Sequence, residues 1–183
     1  MSEMTFEPLM VEPVGVPRGR AMVERADWAA RAYAKYDIAT VNRIVDAAAS
    51  ALATRAQEFA RDAVSETGFG VVEHKVLKNI ACSTGIVETY RGQDFVSPEI
   101  DEVNKIVAIP RPAGVILALT PSTNPVATVS FKIILALMTR NSIIISPHPM
   151  AKKVCVAAAK AMSEAAVAAG APDGIIQIVE DPS

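Results

Sequence analysis

The stretch "GVILALTPSTNPVAT" (residues 114–128) decides the fold. Its first half, Gly114 to Leu119, is a continuous apolar run. Its second half sets Ser122, Thr123 and Asn124 between Pro121 and Pro125. An apolar run without polar alternation, closed by a turn, is the pattern of a strand buried on both faces. Outward from it, "SIIIS" (142–146) and "GIIQIV" (174–179) repeat the pattern, with helical stretches at 125–138 and 149–169 between them. Those gaps are long enough for right-handed crossovers between parallel strands. Residues 114–179 therefore read βαβαβ, the start of a doubly wound parallel sheet in an α/β protein.

Before residue 100 nothing reads as a strand. Residues 18–36 suit one helix, and Asp37 can cap the next. From about 38 to 64 a single long amphipathic helix is expected. Its apolar side runs Val41, Ile44, Val45, Ala48, Leu52, Ala56, Phe59 and Ala63. Gly68 supplies a stop, a third helix follows over 71–90, and Gly92 ends it. "EVNKIVAIP" (102–110) is β-rich. The organisation is thus an N-terminal arm (1–17), a helical part (18–100) and the βαβαβ part (101–183).

The 183 residues are 51% hydrophobic and 21% charged, which is globular composition and not that of a disordered chain. A formal net charge of −2 gives no electrostatic footprint for nucleic acid or an anionic membrane. The longest apolar stretch is too short to span a bilayer, and "MSEMTFEPLMVEPVG" lacks the build of a secretion signal. Cys82 and Cys155 have no metal-ligand or CxxC spacing and read as reduced thiols of a cytoplasmic protein; no metal site is expected. Both fall inside helices, where cysteines mostly pack.

Ligands of an open parallel sheet bind beyond the carboxyl ends of its strands. Those corners here are "TPSTNP", "SPHPMAK" and "VEDPS". Proline stiffens the first two, and the helix starts behind them leave N–H groups and positive dipole ends to face an anion. Thr120, Pro121 and Ser122 at one corner, and Ser146, Pro147 and His148 at the other, are the candidate cofactor contacts. Two readings compete for Ser122, Thr123 and Asn124: they cap the following helix, or they look into a site. Lys132, inside an apolar helix, either snorkels to an edge or brings its ammonium to that site. Neither GxGxxG nor GxxxxGK[ST] is present, so no glycine-rich phosphate cradle holds a nucleotide.

Taken together, "IPRPAGVILALTPSTNP", "FKIILALMTRNSIIISPHPMAKK" and "AAVAAGAPDGIIQIVEDPS", with "SETGFGVVEHKVLKN" upstream, resemble the aldehyde dehydrogenase superfamily. The likeness is to its CoA-acylating branch, the acetaldehyde and sulfoacetaldehyde dehydrogenase-like enzymes. The resemblance covers about residues 20–183. It implies oxidation of a small aldehyde with NAD or NADP, through a cysteine thioester passed to coenzyme A, in a homo-oligomer. It also implies an atypical dinucleotide site, in keeping with the missing glycine cradle.

The hydrolytic members of that family carry a Pro-x-Asn-x-Pro corner whose asparagine stabilises an oxyanion. Here Pro121 and Pro125 keep the spacing, Thr123 takes the asparagine's place, and Asn124 stands one position on. The resemblance therefore assigns Thr123 or Asn124 as the donor and Lys132 to the proton-handling network. In Ser146-Pro147-His148-Pro149 the family's ribose-contacting lysine and glutamate are both replaced, which leaves NAD against NADP open. The family's nucleophilic cysteine lies beyond the third strand, and neither Cys82 nor Cys155 matches it. The chain resembles the N-terminal portion of such an enzyme, inactive alone and with an open apolar edge at "GIIQIV". A degenerate non-enzymatic paralogue serving as an assembly or docking partner is the alternative, and a hydrolytic dehydrogenase without CoA is a third.

Overall fold

A computed structural model describes residue 13 and residues 15–182; the expected arm over 1–17 falls almost wholly outside the described residues. Helix α1 (Gly15–Tyr33) comes first, then α2 (Ile38–Thr54), α3 (Ala56–Thr67), α4 (Val72–Ile80), a π-helical turn (Ala81–Gly85) and α5 (Ile86–Thr89). A hairpin of β1 (Glu99–Asp101) and β2 (Ile106–Ala108) follows. The βαβαβ unit closes the chain: β3 (Val115–Thr120), α6 (Pro125–Met138), β4 (Ser142–Pro147), a 3-10 turn (Pro149–Ala151), α7 (Lys152–Ala168) and β5 (Ile176–Ile178). No helix among the described residues is long and apolar enough to cross a membrane.

The sheet has the order β3-β4-β5, all parallel. β4 is central, and its isoleucines 143, 144 and 145 are all buried. Leu117, Ile144 and Gln177 lie level across the strands on one face. That is the face of α1, because the Gln177 amide donates to the Met22 carbonyl at 2.9 Å. Helices α6 and α7 cover the other face and pack in turn against α2 and α3. Both helices at that second contact carry small buried residues, Ala48 and Ala49 on α2 and Ala158 and Ala159 on α7.

Four expectations need correction. The helix over 38–64 is two helices, because Arg55 leaves helical geometry at φ −103, ψ 15. Its guanidinium pairs with Glu58 at 2.6 Å and lies over the Phe59 ring. The apolar phase runs through the break undisturbed, so periodicity alone does not register it. The helix over 71–90 contains the π turn. Gly85 serves it, since a Cβ there would lie 3.3 Å from the Ile80 carbonyl oxygen. The β-rich segment is one arm of a hairpin whose other strand begins before residue 100, with Asp101 accepting the Val103 and Asn104 N–H groups in the turn.

The fourth concerns which edge is apolar: β5 ends the sheet as expected, and β3 ends it on the other side. The edge of β5 is flanked by ion pairs, Arg25–Asp173 at 2.5 Å and Lys160–Glu180 at 2.6 Å. The apolar side of the sheet is instead at β3, where Leu117 and Leu119 are 68% and 67% exposed. β3 is therefore not buried on both faces as its sequence suggests.

Two long-range contacts fix the unit. Arg140, in the left-handed region at φ 58, sends its guanidinium to the carbonyls of Ala34 (2.8 Å), Val96 (3.2 Å) and Pro110 (3.2 Å). Three segments are thereby tied to the start of β4. Glu66, near the end of α3, accepts the Lys153 and Val154 N–H groups, both at 2.8 Å, and so caps α7 from another helix. Arg140→Ala leaves three carbonyls short of a donor and is expected to lose about 2–4 kcal/mol, a Tm fall of about 5–10 °C by thermal melt. Glu66→Ala is expected to lose about 1–2 kcal/mol by urea denaturation, with Glu66→Gln recovering part of it.

Candidate active site

The corner after β3 is built by proline and by lysines from a distant helix. Pro125 opens α6, where its missing N–H is not needed. Asn124 precedes it, and its carbonyl accepts both the Thr128 N–H (3.1 Å) and the Thr128 hydroxyl (2.7 Å). The Asn124 side chain makes no capping bond. Its Oδ1 instead accepts from Lys78 Nζ at 3.0 Å. One helical turn earlier, Lys75 Nζ donates to the Thr123 carbonyl at 2.8 Å. Two cations of α4 thus hold two successive residues of the corner. Lys75 is only 6% exposed. Desolvation first, and the Lys78 charge second, press its pKa below the ordinary lysine value.

Helix α4 is itself firmly seated. The buried Asn79 amide donates to the Ala56 carbonyl at 3.1 Å, which ties α4 to α3. Beyond it, the Ser83 hydroxyl donates to the Asn79 carbonyl at 2.6 Å within the π turn. The buried Ser130 of α6 donates to the Cys82 carbonyl at 2.8 Å. The π turn is therefore the point at which α4 is bolted to α6, and such turns recur at functional sites.

The remaining sequence-derived candidates divide. The His148 N–H donates to the Thr120 carbonyl at 3.0 Å, joining the first two corners at the carboxyl rim. Ser146 and Pro147 stand in register with Leu119 and Thr120. His148 Nδ1 accepts the Met150 N–H at 3.2 Å and the ring is exposed. Pro121 and Thr123 are exposed, and Ser122 is half-buried. The Thr120 hydroxyl, by contrast, turns inward to 3.6 Å from Cys155 Sγ, so only its backbone reaches the rim. Lys132 Nζ donates to the Leu119 carbonyl at 2.6 Å. Successive strand residues point their carbonyls in opposite directions, and that of Thr120 faces β4; the Leu119 carbonyl therefore lies on the free edge of β3, with the lysine over it.

Both thiols are held protonated. Burial raises Cys155 to about 11, moderated by the Thr120 hydrogen bond. Burial also raises Cys82, with the Lys78 charge pulling the other way. The helix starts do not match the expectation of two free anion sites. Glu66 fills the start of α7, so a phosphate finds those N–H groups occupied. Sequence reasoning missed Lys75, Lys78 and Glu66. The spacing of the lysines, one turn apart in "EHKVLKN", was a visible signal, but only tertiary structure shows what they reach.

The rim consists of stiff proline-flanked backbone with Ser122, Ser146 and His148, and the sequence has no glycine-rich phosphate cradle there. Residues 16–183 match the family model described as the aldehyde dehydrogenase family. The chain is 40% identical over 164 residues to a bifunctional aldehyde-alcohol dehydrogenase of Escherichia coli, covering 89% of this chain and 18% of that protein. It is 38% identical over 165 residues to a sulfoacetaldehyde dehydrogenase (acylating) of Cupriavidus necator, covering 88% and 34%. An acetylating aldehyde dehydrogenase from Geobacillus thermoglucosidasius matches in structure with a TM-score of 0.88 and 38% identity, over 91% of this chain and 37% of that one. An engineered glycolyl-CoA reductase with bound NADP+ matches at 0.75 and 29% identity, over 90% and 37%. Matched along nearly its whole length, and spanning about a fifth to two fifths of the length of those proteins, the chain belongs to the aldehyde dehydrogenase family.

Proposed function

We propose that residues 18–183 are the cofactor-side portion of an NAD(P)-dependent, CoA-acylating aldehyde dehydrogenase. It would work in the cytoplasm, as a homo-oligomer, on a small aldehyde. The observation that carries this reading is the corner at 121–125, at the carboxyl end of β3. Its side-chain donors are free of the capping role, and a helix start and two lysines surround it with positive potential. The relatives named above supply the branch: two are named as acylating or acetylating.

In this reading Thr120, Pro121, Ser122, Ser146, Pro147 and His148 would hold the NAD(P), which would supply the hydride acceptor. The chain's own residues do the rest of the work assigned here. Thr123 or Asn124 donates to the aldehyde oxygen as negative charge grows on it, in a position set before reaction and so needing little reorganisation. The start of α6 adds the positive end of a helix dipole. Lys132 holds a cation at the free edge of β3 beside the same corner. The nucleophile is assigned to a thiolate from outside residues 1–183, since Cys155 is buried, Cys82 is half-buried, and desolvation disfavours the anion at both.

The chain by itself is expected to give no aldehyde-dependent NAD(P)H, followed at 340 nm with and without CoA; robust turnover would sink the assignment of an external nucleophile. In the full-length polypeptide, turnover should require CoA. Replacing Thr123 with Val and Asn124 with Leu together should lower kcat by about 10²–10³, with NAD(P) affinity by titration calorimetry little changed. A double variant within twofold of wild type would reduce the corner to a structural bend.

A further inference from the structure

We propose that Lys78 is a positioning residue for the reaction: its ammonium fixes the Asn124 carboxamide with the oxygen toward α4, so that Asn124 rather than Thr123 offers the polarised N–H donor. This rests on the reading of the corner as an oxyanion site.

The argument starts from donor chemistry. An ammonium has three donors and no acceptor. An amide side chain is ambiguous between its oxygen and nitrogen until its partners are known. A lysine 3.0 Å from one terminal atom of Asn124 removes the ambiguity, because only the oxygen can accept from it. Nδ2 is then directed away from Lys78, with both of its hydrogens available. Withdrawing density from the amide oxygen also makes the N–H groups better donors, as hydrogen-bonded chains polarise one another.

Position matters as much as charge. Lys78 is one residue from Asn79, whose buried amide anchors α4 to α3 at 3.1 Å. It is four residues before Cys82, whose carbonyl is bound by Ser130 of α6 at 2.8 Å. The base of the lysine is therefore fixed on both sides relative to the helix that Asn124 opens. Lys75 completes the arrangement by holding the Thr123 carbonyl at 2.8 Å, which stops the corner from rotating as a unit. Asn124 and Lys78 also line a shared recess of about 190 Å³ with Cys82, Ala127, Thr128 and Phe131, open to a ligand atom beside the amide.

Two measurements separate the contact from its consequence. In the 183-residue chain, the side-chain amide resonances of Asn124 in a 15N-correlated NMR spectrum should move in Lys78→Met and return toward the wild-type position in Lys78→Arg, with those of Asn79 unmoved. Unchanged Asn124 resonances would overturn the contact. In the full-length polypeptide, Lys78→Met should lower kcat by about tenfold, short of the 10²–10³ of a lost donor, with the KM for aldehyde changed less than twofold and Arg restoring most of it. In an Asn124→Ala background Lys78→Met should have no further effect, since it acts through that amide. Additive losses, or a Met variant with wild-type kcat, would overturn the proposal while leaving the site reading intact. A wild-type kcat in Asn124→Ala would instead overturn the choice of donor, and with it the role of Lys78.

Discussion

Three consecutive isoleucines in β4 leave the chain one solution. Side chains alternate across a strand, so residues 143, 144 and 145 place apolar groups on both faces, and both faces must be covered. A strand of that kind sits in the middle of a parallel sheet. Parallel neighbours need crossover helices, and the carboxyl ends of all strands then point to one rim. β3 and β5 take those places, α6 and α7 make the crossings, and the polar residues of the corners gather where the rim is. The location of the candidate site follows from the burial of one strand. Its chemistry does not, and depends on what reaches the rim from elsewhere.

What reaches it is unevenly distributed. Each crossover helix begins at a corner with unpaired N–H groups and the positive end of a dipole. At α7 a carboxylate already fills that position, for Glu66 accepts two of the N–H groups. At α6 no side chain of the preceding residue caps the helix, and two lysines approach instead. Cations beside a helix start are unfavourable by a few tenths to about 1 kcal/mol, so the arrangement spends stability to keep that corner positive. One corner is electrostatically closed and the other is left wanting an anion. Of the two rim positions that look alike in sequence, only the first suits charge that appears during a reaction.

The parts of this design legible in the sequence are those written in local pattern. The apolar runs at 114–120 and 142–146 and the helix at 125–138 follow from continuity, proline placement and length. Asp37 accepts from the Thr40 N–H at 2.7 Å, and Gly68 ends α3 at φ 72, both as local chemistry dictates. The features that escaped are tertiary. The break at Arg55 preserves the apolar phase on both sides, and the π turn depends on Ser83 and on Ser130, 47 residues further along. Glu66 meets a helix 87 residues away. The capping reading of Asn124 was sound from residue type alone, and it yields because a lysine from α4 takes the oxygen first. At the site, residue types were visible and their partners were not.

The two outer strands answer a question that continuity of hydrophobic sequence poses wrongly. "GIIQIV" does end the sheet, paired only with β4, but Ile176 is buried, ion pairs stand at either end of β5, and Gln177 is tied to Met22. Helix α1 lies chiefly over β4, and the face of β3 beside it keeps two leucines in water. Burying a leucine side chain is worth about 1.5–3 kcal/mol, so this pair alone represents several kcal/mol of unrealised burial. Lys132 lies on the Leu119 carbonyl at that same edge, and the 121–125 corner follows β3 in the chain. The free edge, the uncovered leucines and the positive corner all fall on one side of the sheet.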